Sequence, residues 1–262
     1  MELTLTLILI FGLIVFITQG LEGIAGFGST VLALPFVAMI LGIDKAVPIL
    51  AAHTWLLAGY FVVVSWKHIV WKEFRFIALH VLFGLPIGYY LFKNLDATYL
   101  KVILSLFMIG VGINGIRVTW QSRHGTGAST KPVKKTLLMR FILFLGGIIH
   151  GAFASGGPFI VLYASQALKE KALFRVSMCL LWLCLNTILM VVYLLDGTWA
   201  VAETRYALYI SLPFLLLGIF VGDYLHHRIS EYIFRLIVFA LLMGTGFIVM
   251  CVEGSKLLAK FY

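Results

Sequence analysis

Apolar residues run along this chain in ten blocks separated by short polar clusters. In the first half the blocks are residues 3–20, 30–42, 46–66, 76–92 and 97–116. In the second they are 137–151, 158–168, 173–195, 206–225 and 232–251. Apolar runs of about 18 residues or more recur along the whole length, and the pattern predicts an all-α polytopic membrane protein with no soluble domain left over. Block lengths refine that picture. A full crossing takes about 20 residues, whereas the 11 residues of 158–168 make about 16 Å of helix and reach half-way. From Arg140 to His150 is a further rise of about 15 Å. With Arg140 and Lys169 at one interface, the tip near Ser155 lies near the bilayer middle. The second half is therefore expected to open with a re-entrant hairpin. In the first half, block 3–20 is long enough to cross and only its partner is short. The total is eight to ten membrane segments, depending on whether each opening pair crosses or dips and returns.

The two halves repeat each other. Sliding the chain by 128 positions places Gly151-Ala-Phe-Ala-Ser-Gly-Gly-Pro158 on the stretch that begins at Gly23, so that Gly23 meets Gly151, Gly28 meets Gly156 and Glu22 meets His150. Later on, Gly84-Leu-Pro-Ile-Gly88 matches Gly218-Ile-Phe-Val-Gly222 at an offset of 134, and a small insertion is expected near 196–205. Each half reads as a glycine-rich broken or re-entrant pair followed by three spans. Three is odd, so the second half is expected to be inverted relative to the first. The predicted organisation is a first repeat at 1–120, a basic cytoplasmic linker at 121–135 and a second repeat at 136–262. The Gly-x-x-x-Gly pairs read as close helix–helix contacts.

Composition and charge agree with a membrane setting. The chain is 62% hydrophobic and 12% charged, against about 25% charge in soluble domains. Glu2 stands where a secretory leader carries basic residues, and no small-residue cleavage site follows. Block 3–20 is therefore expected to be the first membrane segment. The net charge of +9 does not point to nucleic acid, because the basic residues gather in short loops beside lipid. On the inverted scheme six of the 20 basic residues (Lys45, Lys93, Lys101, Arg205, Lys256 and Lys260) fall on one side and the other fourteen on the opposite side. The richer side is expected to be cytoplasmic, with both termini external. Cys179, Cys184 and Cys251 show neither metal spacing nor a disulfide framework, and no cofactor is expected.

Candidate chemistry centres on the two glycine motifs. At Ser155-Gly156-Gly157-Pro158, serine can cap a helix and proline suits its first turn. A helix N-terminus held at membrane depth turns N–H groups and a positive dipole end towards an anion. The alternative is a tight break that serves packing alone. Gly26, Gly28, Ser29 and Thr30 offer the same in the first half. Glu22 and His150, at equivalent positions, are candidates for proton coupling. The alternatives are an interfacial carboxylate and a histidine satisfied by a carbonyl. His53 and Asn186 are further pocket candidates among polar residues that otherwise serve interhelical hydrogen bonds. Metalloprotease and nucleotide-binding motifs are absent, and no enzyme is expected.

With Gly23, Gly26, Gly28 and Pro35 in one half, and Gly151, Gly156, Gly157, Pro158 and the following Phe-Ile-Val-Leu-Tyr in the other, the chain resembles the TauE/SafE sulfite-exporter family, also called the 4-toluene sulfonate uptake permease family. Phe174-Arg175 adds to the likeness. Ser29, Thr30 and Ala154 depart from the family's glycine run. The resemblance implies transport of sulfur-containing anions such as sulfite or organosulfonates. The expected function is a secondary transporter of small anions in the cell (inner) membrane, working by alternating access between the repeats. The alternatives are an anion channel and a non-transporting scaffold. The expected partners are the anion, membrane lipid and a second copy in a homo-oligomer. Substrate, direction, coupling ion and oligomeric state are left open by the sequence.

Overall fold

The computed structural model describes residues 5–123, 135–168, 170–226, 228 and 231–259. Among them every regular element is helical. In order they are α1 (Leu5–Ala25), α2 (Ser29–Leu41), α3 (Ile43–Ser65), α4 (Trp71–Asn94), α5 (Ala97–Arg123), α6 (Leu137–Phe153), α7 (Gly157–Ala167), α8 (Lys171–Leu195), α9 (Ala202–His226) and α10 (Glu231–Ala259). Short 3-10 turns stand at Trp66–His68 and Thr198–Ala200. The second of these lies in the stretch where the repeat comparison requires an insertion. The linker expected at 121–135 falls largely on residues 124–134. These residues, together with Lys169 and Lys260, lie outside the described residues.

Ten helices answer the ten apolar blocks, and the protein is an all-α, multi-pass membrane protein. Six helices (α1, α3, α4, α5, α8 and α9) are long and apolar enough to cross a bilayer. By contrast α2, α6 and α7 have 13, 17 and 11 residues, about 20, 25 and 16 Å against a hydrocarbon core of about 30 Å. Large apolar side chains such as Val63, Phe83, Leu137 and Leu195 stand exposed on helix surfaces. A water-facing surface rarely gathers so many, whereas lipid accepts them.

The chain forms two compact units. One comprises Met1–Leu91 with Val133–His227, and the other Phe92–Pro132 with Arg228–Tyr262. Each therefore draws on both halves of the sequence. In the smaller unit α5 packs along α10. A Cβ on Gly112 would press on Met243 at 2.6 Å, and one on Gly246 would meet Ile109 at 2.9 Å. Lys101 Nζ pairs with Glu253 Oε1 at 3.2 Å in the same unit.

The larger unit contains two close crossings. In α1 across α9, Gly23 faces Gly222, whose Cα lies 3.2 Å from where a Cβ would stand, and Gly20 faces Gly218. In α4 across α6, Gly84 and Gly88 lie against the backbone of Phe144–Ala152, and Gly147 and Gly151 lie against that of Val81–Tyr89. Any side chain at these contacts would meet backbone atoms, so the small residues set the interaxial distance. The glycine pairs at 84/88 and 218/222 are thus packing contacts, as their spacing predicts. Between the crossings, α3 packs on α8 and α2. Leu50, Leu57, Leu185 and Leu189 are fully buried there.

Candidate functional site

The sequence places the first break across residues 20–30, but the structure confines it to three of them. α1 continues through Gly20, Glu22 and Gly23, because these glycines serve the α9 crossing and not a turn. The helix ends where Gly26 and Gly28 take φ values of 80° and 106°, in the left-handed region that side-chain-bearing residues avoid. The N–H of Gly26 closes the last turn on Glu22 O at 2.6 Å. The other carbonyls at this buried helix end are answered from outside α1. Arg175 Nη1 donates to Gly23 O (3.1 Å), His226 Nδ1 to Ile24 O (2.6 Å) and Trp182 Nε1 to Gly26 O (2.9 Å). A helix end with unanswered carbonyls in an apolar interior costs several kcal/mol per group.

The start of α2 is satisfied by Glu22. Its carboxylate Oε2 accepts from the Ser29 N–H at 3.1 Å and also from the Ser29 hydroxyl. Thr54 of α3 extends the cluster. Its hydroxyl lies 3.3 Å from Ser29 Oγ and 3.1 Å from Thr30 Oγ1. Glu22, Ser29, Thr30 and Thr54 are all buried. The negative end of this network sits on the positive end of the α2 dipole, an arrangement that stabilises the carboxylate.

The second break uses different residues. α6 ends with Ala154 at φ 50°, a left-handed position held by a residue other than glycine, and Ala154 N donates to His150 O at 2.7 Å. Gly156 is the N-cap of α7, Pro158 stands in its first turn, and no side chain caps this helix. The sequence suggests that Ser155 caps it. In the structure Ser155 Oγ donates instead to Phe153 O at 2.8 Å, where the end of α6 leaves a carbonyl unanswered. His150 does not reach the α7 terminus as Glu22 reaches that of α2. Its Nε2–H donates to Asn186 Oδ1 at 3.2 Å, and its ring stacks on Trp182 with centroids 5.5 Å apart and planes 14° apart. Nδ1 of His150 and Nδ2 of Asn186 are buried and have no partner among the described residues.

The two breaks meet at one cavity of about 20 Å³, lined by Glu22, Gly28, Thr30, Val31, Thr54, His150, Ala154, Ser155, Gly157 and Trp182. That volume holds about one water molecule, so the site is occluded. Of the residues singled out from sequence, Glu22, Gly28, Thr30, His150, Ser155 and Gly157 line this space. Ser29 and Asn186 stand one hydrogen bond behind it. Gly26 shapes the turn beside it, where a Cβ would lie 2.9 Å from Arg175 Cα. Gly156 faces α6, with the His150 Cβ 2.8 Å from its own missing Cβ. His53 is not brought to the cavity. Its Nε2 pairs with Ser211 Oγ of α9 at 2.8 Å. The neighbouring Thr54 takes the cavity side, since one residue turns a helix by about 100°.

Sequence reasoning missed Thr54, Trp182 and Arg175. The last two had a signal. Arg175, Cys179, Trp182 and Asn186 recur at i, i+4, i+7 and i+11, a helical stripe. In the structure Arg175, Trp182 and Asn186 each hold part of one of the two glycine motifs.

Comparisons with known proteins agree with this architecture. No solved structure matches the chain. A curated relative, the probable inner membrane transporter protein TsaS of Comamonas testosteroni, is 22% identical over 183 residues, which cover 70% of this chain and 73% of the relative. The family described as sulfite exporter TauE/SafE matches residues 11–249. On that match, which takes in both breaks and every residue that lines the cavity, the chain belongs to the sulfite exporter TauE/SafE family.

Proposed function

We propose that the protein is a secondary transporter of small oxyanions, sulfite or organosulfonates, in the inner membrane. It alternates access to the occluded cavity by movement of two inverted repeats. One observation carries the reading. The α7 N-terminus opens on the cavity without a capping side chain, beside a buried histidine nitrogen that lacks a partner. The matched crossings of α1 with α9 and α4 with α6 support the repeat, because the offsets of 128 and 134 carry one onto the other. The relative named as an inner membrane transporter supports transport and location.

The residues present also give a coupling rule. Asn186 Oδ1 holds the proton of a neutral His150 on Nε2, so Nδ1 then carries a lone pair, which repels an anion. With a second proton His150 donates from Nδ1 and carries a positive charge. Glu22 works in the same sense. As a carboxylate it takes the Ser29 N–H and repels an anion in the cavity. Protonated, it releases that N–H and the hydroxyls of Ser29, Thr30 and Thr54 to a substrate. Both repeats thus bind anion and proton together. The occluded cavity favours alternating access over an open anion channel.

The test is uptake of a labelled sulfonate into liposomes that contain purified protein, driven by an imposed pH gradient. Gly157→Val is the informative variant. A Cβ at Gly157 would lie 3.7 Å from Phe27 and Trp182, an ordinary contact, so the variant folds while its methyls fill the cavity. Uptake should fall to the level of empty liposomes. Undiminished uptake by this variant removes the cavity from the transport path.

A further inference from the structure

Beyond the cavity, the stripe on α8 has a charged end that the coupling rule leaves unused. Arg175 is mostly buried, with 11% of its side chain exposed. Both of its hydrogen bonds leave from Nη1, one to Gly23 O at 3.1 Å and one to Asp223 Oδ1 at 2.9 Å. Its guanidinium lies over the Phe61 ring, 4.4 Å from the centroid. Among the described residues Nη2 and Nε make no hydrogen bond. Arginine presents five N–H donors in a planar fork that fits an oxyanion through two parallel bonds. Here one point contact to a carboxylate leaves most of that fork open. The carboxylate is also the more exposed partner, at 34%.

Position adds to chemistry. Arg175 lies seven residues before Trp182 on the same face of α8, about 10 Å along the axis from a residue that lines the cavity. The peptide carbonyl it holds, Gly23 O, directly follows Glu22. Its Cα packs against Gly26 in the turn of the first break. The bond to Gly23 O and the aromatic face of Phe61 fix the guanidinium whatever becomes of Asp223. The Asp223 carboxylate therefore occupies a place that another oxyanion can take.

We propose that Arg175 is a second oxyanion subsite, between the central cavity and the membrane face at which α8 begins, where an anion displaces the Asp223 carboxylate and binds the fork through two N–H groups. The proposal rests on the reading of the protein as a carrier of small oxyanions, and it adds a staging position outside the occluded cavity. Displacement also releases α9 from α8 at this point, since Asp223 belongs to α9 and Arg175 to α8.

Equilibrium binding of radiolabelled methanesulfonate to purified full-length protein in detergent tests the subsite. The parent protein should show two sites. Gly157→Val fills the cavity and should leave one. In the Gly157→Val background, Asp223→Asn removes the competing charge and should tighten the remaining site about ten-fold, the worth of a weakened charge-assisted bond. Arg175→Lys keeps the charge but loses the fork, and should weaken that site by a similar factor. Asp223→Asn preserves shape and is decisive even where Arg175→Lys fails to fold. The subsite is overturned if Gly157→Val binds no anion, or if Asp223→Asn leaves the remaining affinity unchanged or binds no anion at all. Two sites that survive Gly157→Val, one of them tightened by Asp223→Asn, sustain the subsite and sink the central-cavity reading instead.

Discussion

The α1/α2 break and the α6/α7 break do the same mechanical job by opposite electrostatic means. In the first, a carboxylate seven residues upstream caps the second helix, and side chains from α8 and α9 answer the carbonyls of the first. Two left-handed glycines make the turn. In the second, alanine takes the left-handed position, serine turns back on its own helix end, and the following helix starts with no cap. One break carries its own anion and the other lacks one. Repeat-related segments can therefore hold one backbone shape while dividing the work, one half as tethered competitor and the other as receptor. Glu22 and His150 mark the division.

The comparison breaks most severely at Gly156. The sequence treats Gly156→Leu as a variant that blocks binding in a folded protein. In the structure a Cβ there collides with the Gly146 carbonyl and stands 2.8 Å from the His150 Cβ. Gly156→Leu should thus destabilise the protein by about 3 kcal/mol or more, seen as loss of the monodisperse peak on size exclusion. A stable, inactive Gly156→Leu protein would return this residue to the anion site. Next in size is Glu22. Glu22→Ala leaves the Ser29 N–H buried without an acceptor, at about 1–3 kcal/mol by thermal or denaturant unfolding. Glu22→Gln keeps an acceptor and should retain anion exchange while losing the response to a pH gradient. If Glu22→Gln still drives uphill uptake, the tethered carboxylate is not the coupling group. The smallest effect lies at Ala154. Its left-handed conformation costs about 1–2 kcal/mol, and a glycine there costs about 0.5–1 kcal/mol more chain entropy on folding. Ala154→Gly should stabilise by the difference, about 0.5–1 kcal/mol. An unchanged or lower melting temperature would mean that the second break holds no such strain.

Much of this was legible in the sequence, and for a physical reason. In lipid the helix is nearly the sole option for a spanning segment, so apolar length alone locates α1–α10 to within a few residues. The turn itself was harder. Six glycines lie in or near the two breaks at 20, 23, 26, 28, 156 and 157, and a single sequence does not separate those that make a turn from those that meet another helix. Gly20 and Gly23 prove to be packing glycines of α1, whereas Gly26 and Gly28 turn the chain. Glu22 and His150 were legible because an ionisable group in an apolar block needs a reason. Thr54 was not, because a threonine in a membrane helix usually bonds its own preceding turn, as Thr18 does with Ile14 O at 2.7 Å. Its neighbour His53 drew the attention and faces Ser211 instead.

The donors that answer the end of α1 come late in the chain. Gly23, Ile24 and Gly26 are made long before Arg175, Trp182 and His226, and a ribosome adding about 5–20 residues per second takes about 10–40 s to cover the 200 positions from Gly26 to His226. Throughout that time the first helix pair has carbonyls that nothing in its own sequence satisfies. The tip of the first break is consequently a late product of biogenesis, completed when α8 and α9 arrive. A nascent chain halted before α8 should leave a cysteine at position 27 open to a maleimide, and release of the finished chain should close it. Protection in the halted chain would show that the first pair seals itself.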